Sequence, residues 1–137
     1  MPTDTRPPTV RPPSIAWALF GFDGRIDREV FWLSNLFCLA LTVPIALALP
    51  IFDFEGETIH VRYGQLGVVI MVLELAALMW VQVALVVKRL HDRGITGWAS
   101  LLLAIPVVSL VGFFIIGVVP GERGPNIYGP GPNQRAR

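Results

Sequence analysis

The chain has 137 residues, of which 53% are hydrophobic and 15% charged, whereas a soluble domain carries roughly 25% charged residues. Its length allows one domain, and its formal net charge of +1 provides no basic field for nucleic acid, so we expect no nucleic-acid partner. The single cysteine, Cys38, excludes an intrachain disulfide and a cysteine-rich zinc or iron–sulfur site.

The two ends of the chain differ in composition from the rest. Residues 1–13, MPTDTRPPTVRPP, contain five prolines and no apolar block, which predicts a disordered, partly polyproline tail. A secretory signal needs an apolar core near the start, and we expect none here. Residues 14–132 are predicted to form one transmembrane domain, and residues 133–137 a flexible C-terminus.

Three long apolar segments follow the tail, at residues 31–52, 66–87 and 98–119. The first and third carry no charge, and the second carries only Glu74. A helix of 22 residues is about 33 Å long, enough to cross a hydrocarbon core of about 30 Å. Backbone amides have no water to bond there, which favours helix. The sequence therefore predicts an all-α, small polytopic transmembrane helix bundle with three spans.

Two prolines bear on this topology, because Pro44 and Pro106 lie inside the first and third segments, where proline kinks or breaks a helix. The bias of Lys and Arg toward cytoplasmic loops predicts a cytoplasmic N-terminus and an external first loop. Three crossings would place the C-terminal tail outside. A third segment broken at Pro106 into a re-entrant hairpin would return the tail inside, changing the Lys and Arg tally, inside to outside, from 7:4 to 10:1. Each half would be too short to cross, and we favour three crossings.

Polar residues cluster at the ends of these segments, first in FGFDGRIDREVFW at residues 20–32. Arginines at headgroup level beside aromatic residues are typical of an interfacial anchor. An alternative interpretation is that Arg25 and Arg28 bind a phosphate of a lipid or of another anionic ligand.

The second cluster, VVKRLHDRGITGW at residues 86–98, is explained largely as a helix end. Gly94 suits a helix C-cap, and the basic residues complement the negative end of the helix. His91 beside Asp92 is a pair that could relay protons. Because no serine or cysteine has a nucleophile motif and a third metal ligand is missing, we expect no catalytic residues, no metal and no cofactor.

The third cluster, PGERGPNIYGPGP at residues 120–132, has four prolines and four glycines. Such a composition forbids a helix and forces a series of turns. Asn126 and Tyr128 between these turns are unusual for a linker, and they suggest a fixed loop that lies against the bundle.

Four polar residues are predicted to lie within the membrane: Glu74, Thr42, Ser109 and Gln82. An ionisable residue at that depth is costly, and no Lys or Arg is available there as a partner. We therefore expect a neutral Glu74 carboxyl that hydrogen-bonds Thr42, Ser109 or a partner subunit. Interhelical hydrogen bonding is favoured slightly over a proton or cation site.

The three clusters together resemble the YhaH-like family of bacterial inner-membrane proteins, domain of unknown function eight hundred and five. FDGRIDREVFW is similar to its F-x-G-R-x-x-R-x-x-[YF]-W opening, KRLHDRGITGW to its R-L-H-D-x-x-x-x-G-W loop, and PGERGPNIYGP to its P-G-x-x-G-x-N-x-[YF]-G-P ending. The match covers roughly residues 16–132. Phe31 stands where tyrosine is commoner, so a hydroxyl has no role there.

The resemblance implies a small multi-span protein of the bacterial inner membrane, and it assigns no reaction. Clusters that recur together are expected to touch, forming a polar cap under the bundle. The residues expected in this cap are Arg25, Arg28, Arg89, His91, Asp92, Asn126 and Tyr128.

Our first hypothesis is a non-enzymatic accessory or scaffold protein whose cap binds lipid headgroups or a partner, either a second copy or another membrane protein. The alternative is a small transporter or channel component with Glu74 and Gln82 along its path. A third hypothesis is an enzyme that acts on an interfacial substrate with His91 and Asp92.

Overall fold

The computed structural model describes residues 13–134. The tail predicted to be disordered therefore lies outside the described residues except for Pro13, as do residues 135–137. The elements in chain order are α1 (Ile15–Phe20), α2 (Arg28–Ala48), β1 (Ile51–Glu55), β2 (Thr58–Arg62), α3 (Gln65–His91), a 3₁₀ helix (Gly97–Ala104) and α4 (Pro106–Val118).

Helices α2 and α3 are the two elements, within residues 13–134, that are long and apolar enough to cross a membrane. Their 21 and 27 residues correspond to about 31 and 40 Å. Only 11% and 17% of their most apolar windows are buried inside the protein, whereas the core helix of a soluble protein is mostly buried. Their apolar surface therefore faces outward, as a membrane helix presents it to lipid.

The N-cap residue of α2 is Asp27, whose carboxylate accepts a hydrogen bond from the Val30 backbone N–H at 2.8 Å. This is the N-cap arrangement that satisfies a free donor of the first turn. The helix continues past Pro44 to Ala48, so the proline does not end it. Prolines are tolerated in membrane helices when neighbouring groups satisfy the freed backbone.

A two-stranded antiparallel hairpin joins α2 to α3, which corrects the all-α prediction. Strands β1 and β2 pair with Ile51 opposite Arg62 and Asp53 opposite His60. Gly56 begins the turn between them with a φ of 64°, a conformation that glycine adopts without steric cost. The first span accordingly ends near residue 48, and residues 51–52, which were predicted to belong to it, are in β1.

The third apolar segment is broken at Pro106 and is not one continuous helix. Residues 97–104 form a 3₁₀ helix, Ile105 has extended backbone, and Pro106 begins the 13-residue α4. The pyrrolidine ring disfavours helical backbone in the preceding residue, and proline is well suited to the first position of the helix that follows. Neither part reaches the length of about 20 residues that a spanning helix needs.

Both ends of this broken segment lie at the same end of α3. At the start, a Cβ added to Gly97 would lie 2.8 Å from Val87 Cγ1. At the finish, Arg89 Nε donates to the Ile116 carbonyl at 3.0 Å. The 3₁₀ helix and α4 therefore form a hairpin whose two ends lie together, which we call the re-entrant hairpin after the alternative given above, and three crossings are not confirmed.

The buried core is concentrated at this end of the molecule. The buried residues of α3 all lie between Val81 and Leu90, and they pack with Phe31 of α2 and Trp17 and Leu19 of α1. The remaining surface of α2 and α3, toward the β-hairpin, is largely exposed and apolar. The protein thus has a packed end, which holds the polar clusters, and a thin apolar body.

Candidate functional site: a polar cap at the end of the bundle

Six of the seven predicted cap residues meet at the C-terminal end of α3. We use "polar cap" for this group, which consists of Arg25, Arg89, His91, Asp92, Asn126 and Tyr128. Three stretches supply them: the turn before α2, the last turn of α3, and the loop after α4. The sequence-based expectation that the three clusters touch is therefore met in the geometry of the fold.

Asp92 lies at the centre of the polar cap between two arginines. Its Oδ1 accepts a hydrogen bond from Arg25 Nε at 3.1 Å, and its Oδ2 accepts one from Arg89 Nη1. Both arginines are fully buried, with 0% exposure, and Asp92 is 2% exposed. Such a buried ion cluster is maintained only when the remaining donors and acceptors are also satisfied.

Arg25 completes its hydrogen bonding with the loop after α4. Its Nη2 donates to the Glu122 carbonyl at 2.8 Å, and its Nη1 donates to the carbonyls of Gly124 at 2.6 Å and Gly129 at 3.3 Å. A single guanidinium therefore bonds three backbone carbonyls of a segment that has no helix or strand. Arginine is suited to this because its five donors lie in one rigid plane.

Arg89 holds the end of α4 in a similar way, by donating to its backbone carbonyls. Besides its bond to Ile116, its Nη2 donates to the Val119 carbonyl at 2.6 Å and its Nη1 to the Ile26 carbonyl at 3.4 Å. The last carbonyls of a helix have no partner within the helix, so Arg89 acts as a side-chain cap for α4. Both guanidiniums are fully buried, so neither can reach an external phosphate, contrary to the alternative suggested above for Arg25.

His91 and Asp92 do not form the proton-relay pair considered from the sequence. The Asp92 carboxylate is engaged with the arginines, and His91 Nδ1 lies 3.2 Å from the Gly24 carbonyl. The imidazole stacks on the Tyr128 ring, with centroids 3.9 Å apart and planes 5° from parallel. His91 therefore helps to hold the C-terminal loop in place.

Asn126 fixes the shape of that loop. Its Nδ2 donates to the His91 carbonyl at 2.9 Å, and its Oδ1 accepts from the Tyr128 backbone N–H at 2.9 Å. Its backbone exchanges two hydrogen bonds with Gly129, at 3.0 and 3.1 Å. The residues that looked unusual for a linker are those that pin the loop to the bundle.

Two glycines permit the close packing around Asp92. Gly94, as expected for a C-cap, has a φ of 68°, and the Ile95 N–H bonds the Leu90 carbonyl at 3.0 Å, as in a Schellman motif. At Gly121 an added Cβ would lie 1.8 Å from Asp92 Oδ2. Only a residue without a side chain can occupy position 121 in this arrangement.

Two further polar residues of this end were not identified as site residues from the sequence. Lys88 is fully buried, and its Nζ donates to the Trp17 carbonyl at 2.8 Å and to the Ala18 carbonyl, which anchors α1. Asn133 donates to Asp27 Oδ2 at 2.6 Å and accepts from the Asp27 backbone N–H at 3.1 Å. Residue 133, assigned above to a flexible end, is therefore held in place. Periodicity indicates neither contact, because both join distant parts of the chain.

Arg28, the seventh predicted cap residue, lies outside the buried cluster. It is exposed on the first turn of α2, and its guanidinium makes no hydrogen bond or ion pair with another residue between 13 and 134. Arg123 of the C-terminal loop is exposed as well. We call Arg28 and Arg123 the cap rim.

The intramembrane polar residues separate into two groups. Glu74 and Thr42 line one crevice of about 390 Å³ between α2 and α3. Oε1 of Glu74 is buried and has no hydrogen-bond partner among the described residues, since the Thr42 hydroxyl donates to the Leu39 carbonyl at 3.3 Å. The predicted bond from Glu74 to Thr42 is therefore not formed within this chain.

Gln82 and Ser109 form the second group, nearer the polar cap, where both line a crevice beside the re-entrant hairpin. Gln82 Nε2 donates to Asn35 Oδ1 at 2.8 Å, an interhelical bond that links α3 to α2. The Ser109 hydroxyl donates to the Pro106 carbonyl at 2.7 Å. Glu74 therefore bonds neither Thr42 nor Ser109, the two predicted partners within the chain.

The family model described as "Protein of unknown function (DUF805)" matches residues 19–130. The "Uncharacterized protein YiiR" of Escherichia coli (strain K12) is 29% identical over 136 aligned residues, which cover 81% of this chain and 85% of that protein. The "Inner membrane protein YhaH" of the same strain is 27% identical over 113 residues, covering 82% and 87%. No solved structure matches the chain significantly.

Proposed function

We propose that this chain, which belongs to the family described as Protein of unknown function (DUF805), is a non-enzymatic accessory protein of the bacterial inner membrane. Its cap rim binds anionic lipid headgroups at the cytoplasmic face. An inner-membrane location is supported by the relative that carries that name and by two outward-facing apolar helices.

The distribution of basic residues supports a cytoplasmic polar cap. If the re-entrant hairpin returns the chain to the side on which it began, six of the seven Lys and Arg among residues 13–134 lie on the cap side. The exception is Arg62, in the hairpin between α2 and α3. Positive residues in short loops favour the cytoplasmic side, so this arrangement predicts that both chain ends are cytoplasmic.

The observation that favours a binding function over a catalytic one is the burial of Arg25, Arg89 and Asp92, which are bonded to other protein groups. A reaction requires groups that can reach a substrate, and these three reach only one another and backbone carbonyls. The exposed guanidiniums of the cap rim remain available to an external anion. At a membrane surface, each such residue contributes about 1 kcal/mol to the free energy of binding to anionic lipid.

The test compares anionic with zwitterionic lipid. We expect phosphatidylglycerol, added to the detergent-purified protein, to raise its unfolding temperature more than phosphatidylcholine does, because a ligand that binds the folded state stabilises it. The double substitution Arg28→Gln, Arg123→Gln should remove this difference. Arg62→Gln, an exposed arginine at the opposite end, is the matched control and should retain it. Equal shifts with the two lipids in the unsubstituted protein would overturn the proposal.

Glu74 supports a second candidate, a transporter or channel component. A buried carboxyl oxygen without a partner is unusual, and intramembrane carboxyls commonly mark ion or proton paths. The crevice beside Glu74 would line such a path in an oligomer of this chain or in a complex with another membrane protein. Proton-dependent flux in vesicles that is abolished by Glu74→Gln would favour this candidate. Flux that is absent, or unchanged in the variant, would exclude it.

A further inference from the structure

A continuous groove runs along α3 beside the re-entrant hairpin. It consists of two crevices, of about 300 and 500 Å³, that share Val83, Ser100 and Leu101 in their walls. Volumes of this size are typical of sites for small organic ligands. One wall is the 3₁₀ helix, and the opposite wall is a stripe of α3 residues spaced four apart, from Met79 to His91, which lie on one helix face.

The length of the groove matches one leaflet of a bilayer. From Met79 to His91 the helix rises about 18 Å, slightly more than half of a hydrocarbon core of about 30 Å. The groove begins at the polar cap, the end of the bundle that lies at the membrane surface, and runs toward the middle of the membrane. A chain that enters from the cap-side surface would lie parallel to α3 and end near mid-membrane.

The interior of the groove offers apolar contacts. Its deep end is lined by aliphatic and aromatic side chains such as Val86, Leu103 and Phe113. Two of the three polar residues of that end are already engaged, since Gln82 bonds Asn35 and Ser109 bonds Pro106, and the third is Ser100. The groove therefore suits hydrocarbon along most of its length.

The mouth of the groove is polar. His91 Nδ1 faces the Gly24 carbonyl, which can only accept, so Nδ1 carries the proton and Nε2 is left for another partner. The Thr96 side chain and the Trp98 indole line the same crevice, and Trp98 is 78% exposed. Within residues 13–134, His91 Nε2 and these two side chains form no hydrogen bond, so three polar groups of residues that line this crevice have no partner there.

We infer that this groove binds one phospholipid of the cap-side leaflet, with an acyl chain along α3 and the headgroup at His91, Thr96 and Trp98. An apolar groove as deep as one leaflet, with polar groups at its surface end, matches the arrangement of acyl chain and headgroup in such a lipid. This site goes beyond the headgroup binding proposed for the cap rim, because it holds a chain in a defined place. Either one can exist without the other.

The first test counts lipids that remain bound. We expect native mass spectrometry of the detergent-purified protein to show one retained phospholipid per chain. Val83→Phe fills the middle of the groove and should cause its loss. Val69→Phe is the matched control, because Val69 is an exposed valine of the same helix, at 54% against 42% for Val83, and it should keep the lipid. Retention in Val83→Phe, or no stoichiometric lipid in the unsubstituted protein, would overturn the inference.

A second test needs no substitution and so does not depend on how a variant folds. The protein is reconstituted with a phosphatidylethanolamine that carries a photoreactive diazirine on its acyl chain, and labelled peptides are identified after irradiation. We expect labelling concentrated in residues 97–104 and 79–87. Labelling spread equally over the exposed face of α2 would contradict a defined site. Neither test involves Arg28 or Arg123, so failure here is distinguishable from failure of the cap-rim proposal.

Discussion

The polar cap and the crevice around Glu74 differ in whether buried ionisable side chains have hydrogen-bond partners. In the cap, Arg25, Arg89 and Asp92 are almost wholly buried, and each is bonded to other protein groups. In the crevice, one oxygen of Glu74 is buried with no partner within the described residues. The charged residues of the cap, of which Asp92 was considered with His91 as a proton relay, are therefore engaged in bonds that hold the C-terminal loop and the end of α4 to α3. The single carboxyl among apolar residues is the group left without a partner.

Substitution of the central carboxylate is the strongest way to break this comparison. Asp92→Ala leaves two buried guanidiniums without their counter-ion, and we expect it to lower the free energy of unfolding by about 3–5 kcal/mol. Asp53→Ala removes an exposed ion pair with Arg62 and should cost about 0–1 kcal/mol. Denaturant unfolding in detergent measures both. Equal losses in the two variants would show that the cap contributes no special stability.

A smaller effect is expected from the glycine beside Asp92. In Gly121→Ala the new Cβ would lie 1.8 Å from Asp92 Oδ2, so the loop must shift, at a cost of about 3 kcal/mol, the upper end of the usual range for overpacking. Gly131→Ala is the control, because its Cβ would approach Gln134 no closer than 3.6 Å, an ordinary contact. If the two alanine variants unfold at the same temperature, the packing of the loop on Asp92 is looser than described.

Lys88, which lies beside the polar cap, tests whether a buried cation also holds α1 in place. Lys88→Met removes the hydrogen bonds to the carbonyls of Trp17 and Ala18, and we expect α1 to lose about 2 kcal/mol of local stability. Hydrogen exchange should become faster in residues 15–20 and stay unchanged in the middle of α2, which is the internal control. Unchanged exchange in α1 would mean that Trp17 and Leu19 hold it by apolar packing alone.

The smallest effect is expected at Glu74, where no bond would be lost. Glu74→Leu removes a polar oxygen that is buried without a partner, so the free energy of unfolding should stay within about 1 kcal/mol or rise. Glu74→Gln keeps the shape of the side chain and separates that effect from the polarity. A loss as large as that of Asp92→Ala would show that Glu74 has a partner, such as a second copy of the chain.

Much of the fold follows from local sequence. The long apolar runs predict α2 and α3, and Gly94 predicts the end of α3. The β-hairpin was not predicted, because its alternating residues around Gly56 follow directly on an apolar run. In that position they resemble the end of a helix followed by a loop. The break at Pro106 was expected only as an alternative, since proline in a membrane helix permits either a kink or a break.

The candidate site was predictable in its membership and not in its bonding. Motif resemblance brought the three clusters together, but spacing alone did not show that Arg25 reaches Asp92, 67 positions away. For the same reason, the sequence did not predict the hydrogen bond between Asn35 and Gln82, which are 47 positions apart. Side-chain bonds between distant segments depend on how the helices pack, which local periodicity does not specify.

The most direct test of this account is the side of the membrane on which the C-terminal loop lies. Single cysteines at Ile127, 86% exposed, and at Glu57 in the β-hairpin, each in a Cys38→Ala background, are labelled from either face with a membrane-impermeant maleimide. A re-entrant third segment predicts that the two positions react from opposite faces, with Ile127 on the cytoplasmic face. Reaction of both from the same face would mean that the third segment crosses the membrane and would contradict the account.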